Sequence, residues 1–350
     1  MAGKAIKISD DAGVTYYTLP GSGGSFTADG EAIDDTILGA TYKSEITGLL
    51  NWGIEANAIY KGYAGYLIDI SQQGTATTFT TEACTLLSGK TYQISDVTKQ
   101  IWDRTTTLNV FDNAVNHNAD VIDIDYLFGK VTFAASYTPT TPITVTGKYY
   151  PKTIIGKGQS VTLTQTADML DQTDFAIAQA NGGNRVFIPG LRTIGLEIQG
   201  FFDPTSAFLA ALQARGEYII EIDPIGDGLS LCRGFYRLIN QSRAGDVGAL
   251  ETEHLRFALN VPVQSKMTNF FSWYISGSTK MPIAVQKIIS AFQNETPLLA
   301  QYLPKGAITQ SPLDGVQGTV YMSDISLSSG LSAVNRFNAR MQGSSGTTVV

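Results

Sequence analysis

Residues 46–60 read ITGLLNWGIEANAIY and residues 188–202 read IPGLRTIGLEIQGFF, so a single chain carries one pattern twice. The two stretches superimpose without a gap, 142 positions apart (188 − 46). Ile46, Gly48, Leu49, Gly53 and Glu55 recur as Ile188, Gly190, Leu191, Gly195 and Glu197, and Tyr60 is matched by Phe202. Upstream, DDTIL (34–38) answers to DQTDF (171–175), which matches Asp34 and Thr36 to Asp171 and Thr173. The offset there is 137 (171 − 34), so the second copy holds five more residues, within the stretch AIAQANGGNR. A change of length between matching ends is how a loop behaves.

Within both copies the alternation has the same phase. Trp52, Ile54, Ala56, Ala58 and Tyr60 fall on one side, as do Ile194, Leu196, Ile198, Gly200 and Phe202. Period two predicts a strand with one buried face. The opposite face carries Glu55 and Asn57 in one copy and Glu197 and Gln199 in the other, an acid and an amide each time.

After the second copy, Asp203 and Pro204 open a helix that runs through TSAFLAALQARG and stops at Gly216. Apolar strand patterns follow in YIIEIDP, LSLCRGFYRLI and ETEHLRFALNV. The first copy has no such helix after it. Its counterpart lies in MPIAVQKIISAFQNETPLLAQYL (281–303), which aligns with 201–223 at an offset of 80 (281 − 201). GTVYMSDISLSSG and SAVNRFNARMQG then parallel the last two strands. The first unit is therefore read as split, residues 1–62 and 265–350, with a second unit at 153–264. Residues 63–152 form an insertion whose short strands, spaced by Asp, Asn and Pro turns, predict a small β-sandwich. The fold class expected is mainly β, a barrel or sandwich with short flanking helices.

Composition supports that class: of 350 residues, 43% are apolar and only 16% charged, with 35 Gly and many Thr, Ser, Tyr and Phe. The net charge of −7 argues against a basic patch that binds nucleic acid by displacing counterions from phosphates. Asp10 and Asp11 interrupt the N-terminus before an apolar signal region forms, and no apolar run approaches the roughly 18 residues of a membrane span. Synthesis as a soluble cytosolic protein, with no membrane partner, is the expectation.

Catalytic and cofactor motifs are sparse. Cys84 and Cys232 are far apart with no CxxC neighbour, and His117 and His254 are the only histidines. SGKT (88–91) lacks the upstream glycine of a phosphate-binding loop, since Cys84 stands there. The run DVIDIDY clusters Asp120, Asp123 and Asp125 but has neither the Gly nor the closing Glu of an EF-hand loop. Strand alternation predicts Asp123 and Asp125 on a solvent face with Ile122 and Ile124 inward. No pair of carboxylates is singled out for glycoside hydrolysis. No enzyme, cofactor or metal is expected.

The acidic DxT element, the variable Gly-containing loop, the IxGL opening of an amphipathic strand and the short helix together resemble the tail tube proteins of long-tailed bacteriophages. The resemblance covers about 1–62, 154–262 and 265–350, not the insertion. It implies a structural virion protein whose copies form rings that stack into a hollow tube, through which DNA passes without specific binding. It also implies a tape-measure protein inside, terminator and distal tail proteins at the ends, and location in the virion tail after synthesis in the host cytoplasm. Two units per chain imply a ring of three chains imitating six positions, with a ring of six chains as the other stoichiometry.

In that setting Glu55, Asn57, Glu197 and Gln199 are candidates for the channel face, repelling phosphates. Arg256 and Arg340, on later strands, make the wall mixed in charge. Asp34 with Thr36 and Asp171 with Thr173 are candidates for ring-stacking loops. The alternative is a β-sandwich adhesin or carbohydrate-binding protein of the virion surface, needing an exposed aromatic platform; Trp102, Tyr149 and Tyr150 are its candidates.

Overall fold

The structure is a computed structural model that describes residues 5–36, 42–60, 67–201, 215–226, 228–244, 252–261, 269–275, 281–304, 315–330 and 335–350. Strands make up 62% of it and helix 9%, so the chain is mainly β, of the barrel and sandwich class. The first strands are β1 (Ala5–Ser9), β2 (Gly21–Asp34) and β3 (Glu45–Tyr60), followed by β4 (Leu67–Gln72). After a small sheet come β5 (Ser160–Asp171), α1 (Phe175–Ala180), β6 (Phe187–Phe201), β7 (Glu217–Asp223), β8 (Ser230–Ala244) and β9 (Thr252–Leu259). The chain ends with α2 (Ile283–Asn294), β10 (Leu298–Leu303), β11 (Val316–Gly330) and β12 (Asn335–Gly343). The helix read in TSAFLAALQARG lies outside the described residues apart from Arg215 and Gly216 at the end of that stretch.

Two compact units result: one of Met1–Gly62, Thr162–Ile194 and Thr279–Val350, the other of Tyr63–Val161 and Gly195–Ser278. In the first, β1 pairs β10, β10 pairs β11, β11 pairs β12, β12 pairs β3 and β3 pairs β2, all antiparallel. In the second, β4 pairs β7, β7 pairs β8, β8 pairs β9 and β9 pairs β6, again antiparallel.

These two chains of pairings are one pattern repeated residue by residue. Arg340 stands opposite Glu55, and Arg256 stands opposite Glu197. Tyr302 faces Val316 as Ile222 faces Cys232. Ser9 faces Leu299 as Ser71 faces Ile219. Even the β-bulge recurs: register slips between Met322 and Asp324 in β11 and between Leu238 and Asn240 in β8, an offset of 84 (322 − 238) in each residue. A bulge inserts an unpaired residue and bends its strand, so an irregularity at one equivalent position marks a shared architecture.

This register identifies β4 as the counterpart of β1, with AIKIS (5–9) matching LIDIS (67–71). Residues 67–72, assigned from sequence to the insertion, thus supply a strand of the large sheet. The small seven-stranded sheet spans Thr77–Tyr149 and is inserted between the first and second strands of the second copy. Its core holds Phe79, Tyr92, Trp102, Val131, Phe133 and Val145. A second cluster, with Ile101, Leu127, Phe128 and Tyr150 against Ile219 and Phe235, joins it to the sheet that carries it.

The alternation has its expected consequence. Trp52, Ile54, Ala56 and Ala58 are buried, as are Ile194, Leu196 and Ile198; the side chain of Tyr60 and all of Phe202 lie outside the described residues. At 25 cal/mol per Å², burying such side chains contributes about 1.5–3 kcal/mol for each large aliphatic one. That fixes the register, since a slip of one residue would put the whole apolar set into water.

Candidate functional site

Two features recur in both copies and face solvent: the polar strand face and the hairpin tip. On the face, each acid meets an arginine across the strands. The Arg340 Nε to Glu55 Oε1 distance is 3.9 Å, and Arg256 Nε lies 3.7 Å from Glu197 Oε1. All four side chains are 43–67% exposed. Pairs of that kind contribute only about 0.2–1 kcal/mol, so their effect lies in charge balance more than in stability. Asn57 stands opposite Asn338, and Gln199 opposite His254.

In the first copy, Asp324 also stands opposite Arg340. Burial pushes its carboxyl above the ordinary range; Arg340 opposes that shift and Glu55 adds to it. The second copy has Asn240 at this place. A shallow groove of about 210 Å³ runs along the first face between Ser25, Thr27, Glu55, Ser323 and Arg340. The face is thus polar and mixed in charge, with each glutamate set against an arginine.

The DxT elements have one local chemistry in both copies. The Asp34 carboxylate accepts the Thr36 amide at 2.9 Å, and the Asp171 carboxylate accepts the Thr173 amide at 2.9 Å. Such a turn satisfies the backbone where the strand ends. The threonine hydroxyl then accepts an amide from the returning strand, Ser44 N–H at 2.8 Å in one tip and Val186 N–H at 2.8 Å in the other. Hydrogen bonds from Thr36 hold the Asp34 carboxyl below the usual range, and those from Thr173, with Arg185, do the same for Asp171. Asp34, Thr36, Asp171 and Thr173 are therefore latches that close the base of each tip. The longer second tip has room for α1, capped by the Asp174 carboxylate on the Ile177 amide at 2.7 Å. Residues 37–41 of the first tip lie outside the described residues.

The second hairpin, Thr162–Ile194, is held within the first unit. Leu50 N–H donates to Gly183 O at 2.8 Å and Arg185 N–H to Leu50 O at 2.8 Å. Arg192 donates to the carbonyls of Phe292 and Gln293 at 2.9 and 3.2 Å and pairs with Glu295, so it caps the end of α2, where the helix leaves carbonyls unsatisfied. Arg192→Ala is expected to cost about 1.5–3 kcal/mol locally, the value of a hydrogen bond to a charged group. Hydrogen exchange at the amides that close the last turn of α2 would rise at least tenfold; unchanged exchange would refute the cap.

Other sequence candidates resolve differently. Ile124 packs against the core of the small sheet as expected, but Asp125 is buried at 6% exposure and Ile122 is 53% exposed. The bulge between Val121 and Asp123 leaves Ile122 out of the ladder; past it the alternation is regular, and Asp125 is buried on the face opposite Ile124, where it accepts from the Leu127 and Phe128 amides and from Ser272 Oγ at 2.8 Å. Of the aromatic candidates of the adhesin alternative, Trp102 is 0% and Tyr150 6% exposed, Tyr150 donating to Asp103 at 2.9 Å, and Tyr149 is half-buried, so the three do not form an exposed platform. Burial pushes the Cys84 thiol up to about 12, and Cys232 is buried. Among the described residues no three His, Cys, Asp or Glu side chains are placed to hold a metal, and no helix is long and apolar enough to cross a membrane.

The repeat of β1 in β4 is a functional clue that the sequence reading missed. Its signal was short, Ile-x-Ile-Ser twice at an offset of 62 (67 − 5). No protein-family model matches this chain, and no curated protein does either.

Proposed function

We propose that this chain is a structural subunit that assembles with its own copies into stacked rings forming a hollow tube, of the kind built by the tail tube proteins of long-tailed bacteriophages. The observation that carries the reading is the residue-by-residue repeat of strand register, bulge and polar face in one chain. Two equivalent units per chain suit a ring in which three chains fill six positions, because equivalent units make equivalent contacts around a closed axis. In the tube the polar faces line the channel and the hairpin tips meet the neighbouring ring. DNA passes through, and a tape-measure protein, a terminator and distal tail proteins are the other partners. No catalytic step belongs to this reading, and the virion tail is the place it implies.

A channel face whose arginines stand opposite acids is suited to passage. Unpaired arginines would hold phosphates by counterion release, and paired ones do so weakly. Replacing both acids, Glu55→Lys with Glu197→Lys, changes the face by about four charges per chain and frees Arg340 and Arg256 to meet phosphate. Assembled particles of the double variant are expected to retain duplex DNA at about 50 mM salt and release it by about 200 mM. Particles of the native chain would retain none. Variant particles that assemble yet retain no DNA would remove these faces from the channel.

A further inference from the structure

The repeat is complete in register but not in charge. In the first copy Gln301 of β10 stands between Lys7 of β1 and Gln317 of β11, and its amide donates to Gln317 at 2.6 Å. Glu221 of β7 occupies the same place in the second copy, between Asp69 of β4 and Arg233 of β8. A pair of neutral amides suffices at this place in the shared strands, yet the second copy sets two acids and an arginine there.

The second copy is also the one that carries the inserted sheet. Lys152, just past the last strand of that sheet, lays its ammonium 2.8 Å from Asp69 Oδ2 and 2.8 Å from Glu221 Oε1. The Asp69 and Glu221 side chains are 3% and 9% exposed, that of Lys152 30%. No other lysine among the described residues has two acids so deeply buried beside it.

The two acids are not equivalent. Glu221 is held through its other oxygen, Oε2, by Arg233. Asp69 has no second partner, and its Oδ1 is buried without a donor among the described residues, a costly state for a carboxylate. The two acids stand directly opposite each other across β4 and β7, a spacing of about 4.5–5.5 Å between Cβ atoms, so a proton passes readily between them by way of the lysine.

We propose that Lys152 and Asp69 condense to an isopeptide bond, with Glu221 carrying the protons, and that this bond clasps the inserted sheet at its root. The ion-paired cluster is the reactant state, and groups held in contact react as if at very high concentration. Two protons leave the ammonium by way of Glu221 Oε1 and depart with one Asp69 oxygen as water. The Cγ–O bond breaks, the Nζ–Cγ bond forms, and one proton stays on the amide nitrogen. Ammonium and carboxylate become amide and water, so no co-reactant is needed. Glu221 and Arg233 remain as a matched pair, and a neutral amide replaces two charges that burial penalises. The bond joins the strand that leads into the inserted sheet to the residue that leaves it, across 83 positions. A crosslink at the base of so long a loop restricts the unfolded chain as a disulfide does. The clasp does not depend on whether copies assemble.

Intact-mass spectrometry of the denatured full chain, followed by peptide mapping, tests the bond. The native chain is expected to be one water lighter than its sequence, with a branched peptide joining Asp69 to Lys152. A native chain at full mass, or one whose missing water maps elsewhere, would overturn the proposal, whatever the variants do. Lys152→Arg and Asp69→Ala are expected at full mass; either of them lacking the water would overturn the assignment of the two residues. Glu221→Gln keeps a hydrogen bond to Lys152 but carries no proton, so bond formation is expected to slow about a hundredfold or more, leaving the freshly purified chain at full mass. A fresh Glu221→Gln chain already one water lighter would remove Glu221 from the reaction.

Discussion

Trp52→Ala is expected to cost about 3–5 kcal/mol, the range for truncating a large buried aromatic side chain, and to abolish assembly at temperatures the native chain tolerates. Trp52 is 3% exposed and lies in a slot made by two glycines. A methyl group on Gly343 would come within 2.2 Å of the indole, and one on Gly318 within 2.4 Å. The indole N–H donates to Ser345 O at 2.7 Å, so truncation also leaves that carbonyl without its donor. The complementary change, Gly343→Ala, fills the slot from the other side and is expected to cost about 1–3 kcal/mol by overpacking. Urea unfolding of the two variants measures both numbers. Losses below 1 kcal/mol in both would show that the slot is not tightly packed.

Glu221→Ala is the second large effect, about 3–5 kcal/mol, because removing one partner strands buried charge. Glu221, itself 7% exposed, pairs with Arg233 and with Lys152, the latter at 2.8 Å; Lys152 also reaches Asp69 at 2.8 Å. Burial alone would raise the Glu221 carboxyl, but Arg233 and Lys152 outweigh it and hold its pKa below the ordinary range. A depressed carboxyl contributes stability that is present above its unfolded pKa, about 4.3, and is lost as pH falls through the lower folded value. Native stability is therefore expected to fall as pH drops below about 4, and the Glu221→Ala variant to lose part of that slope. Equal slopes would show that the Glu221 cluster contributes nothing to acid unfolding.

Much of this architecture was legible because the repeat is carried by residues with strong local physics. Alternating burial fixed the faces of β3 and β6 through Trp52, Ile54, Ile194 and Leu196, and Glu55 and Glu197 fell on the polar side. The helix Ile283–Asn294 was readable from its amphipathic spacing, with Val285, Ile288, Ile289 and Phe292 buried. The first strand of the second copy was not, because AIKIS and LIDIS are too short for alternation to stand out from background.

Long-range pairing was hidden for a different reason. That Arg340 faces Glu55 depends on register across 285 residues (340 − 55), which composition and periodicity do not encode. The DxT elements were recognisable as a motif, but their role as latches required the amides of Ser44 and Val186. Asp125 was misplaced because the face opposite Ile124 is itself covered, by Ser272 and by the turn that supplies the Leu127 and Phe128 amides, which alternation along one strand does not reveal.

Electron microscopy of the concentrated native chain, with rotational averaging of end-on views, tests the central claim most directly. The account predicts hollow rings that stack into tubes, with six similar inner positions and three outer projections from the inserted sheets. Discrete particles without a central channel, at every concentration tried, would contradict it.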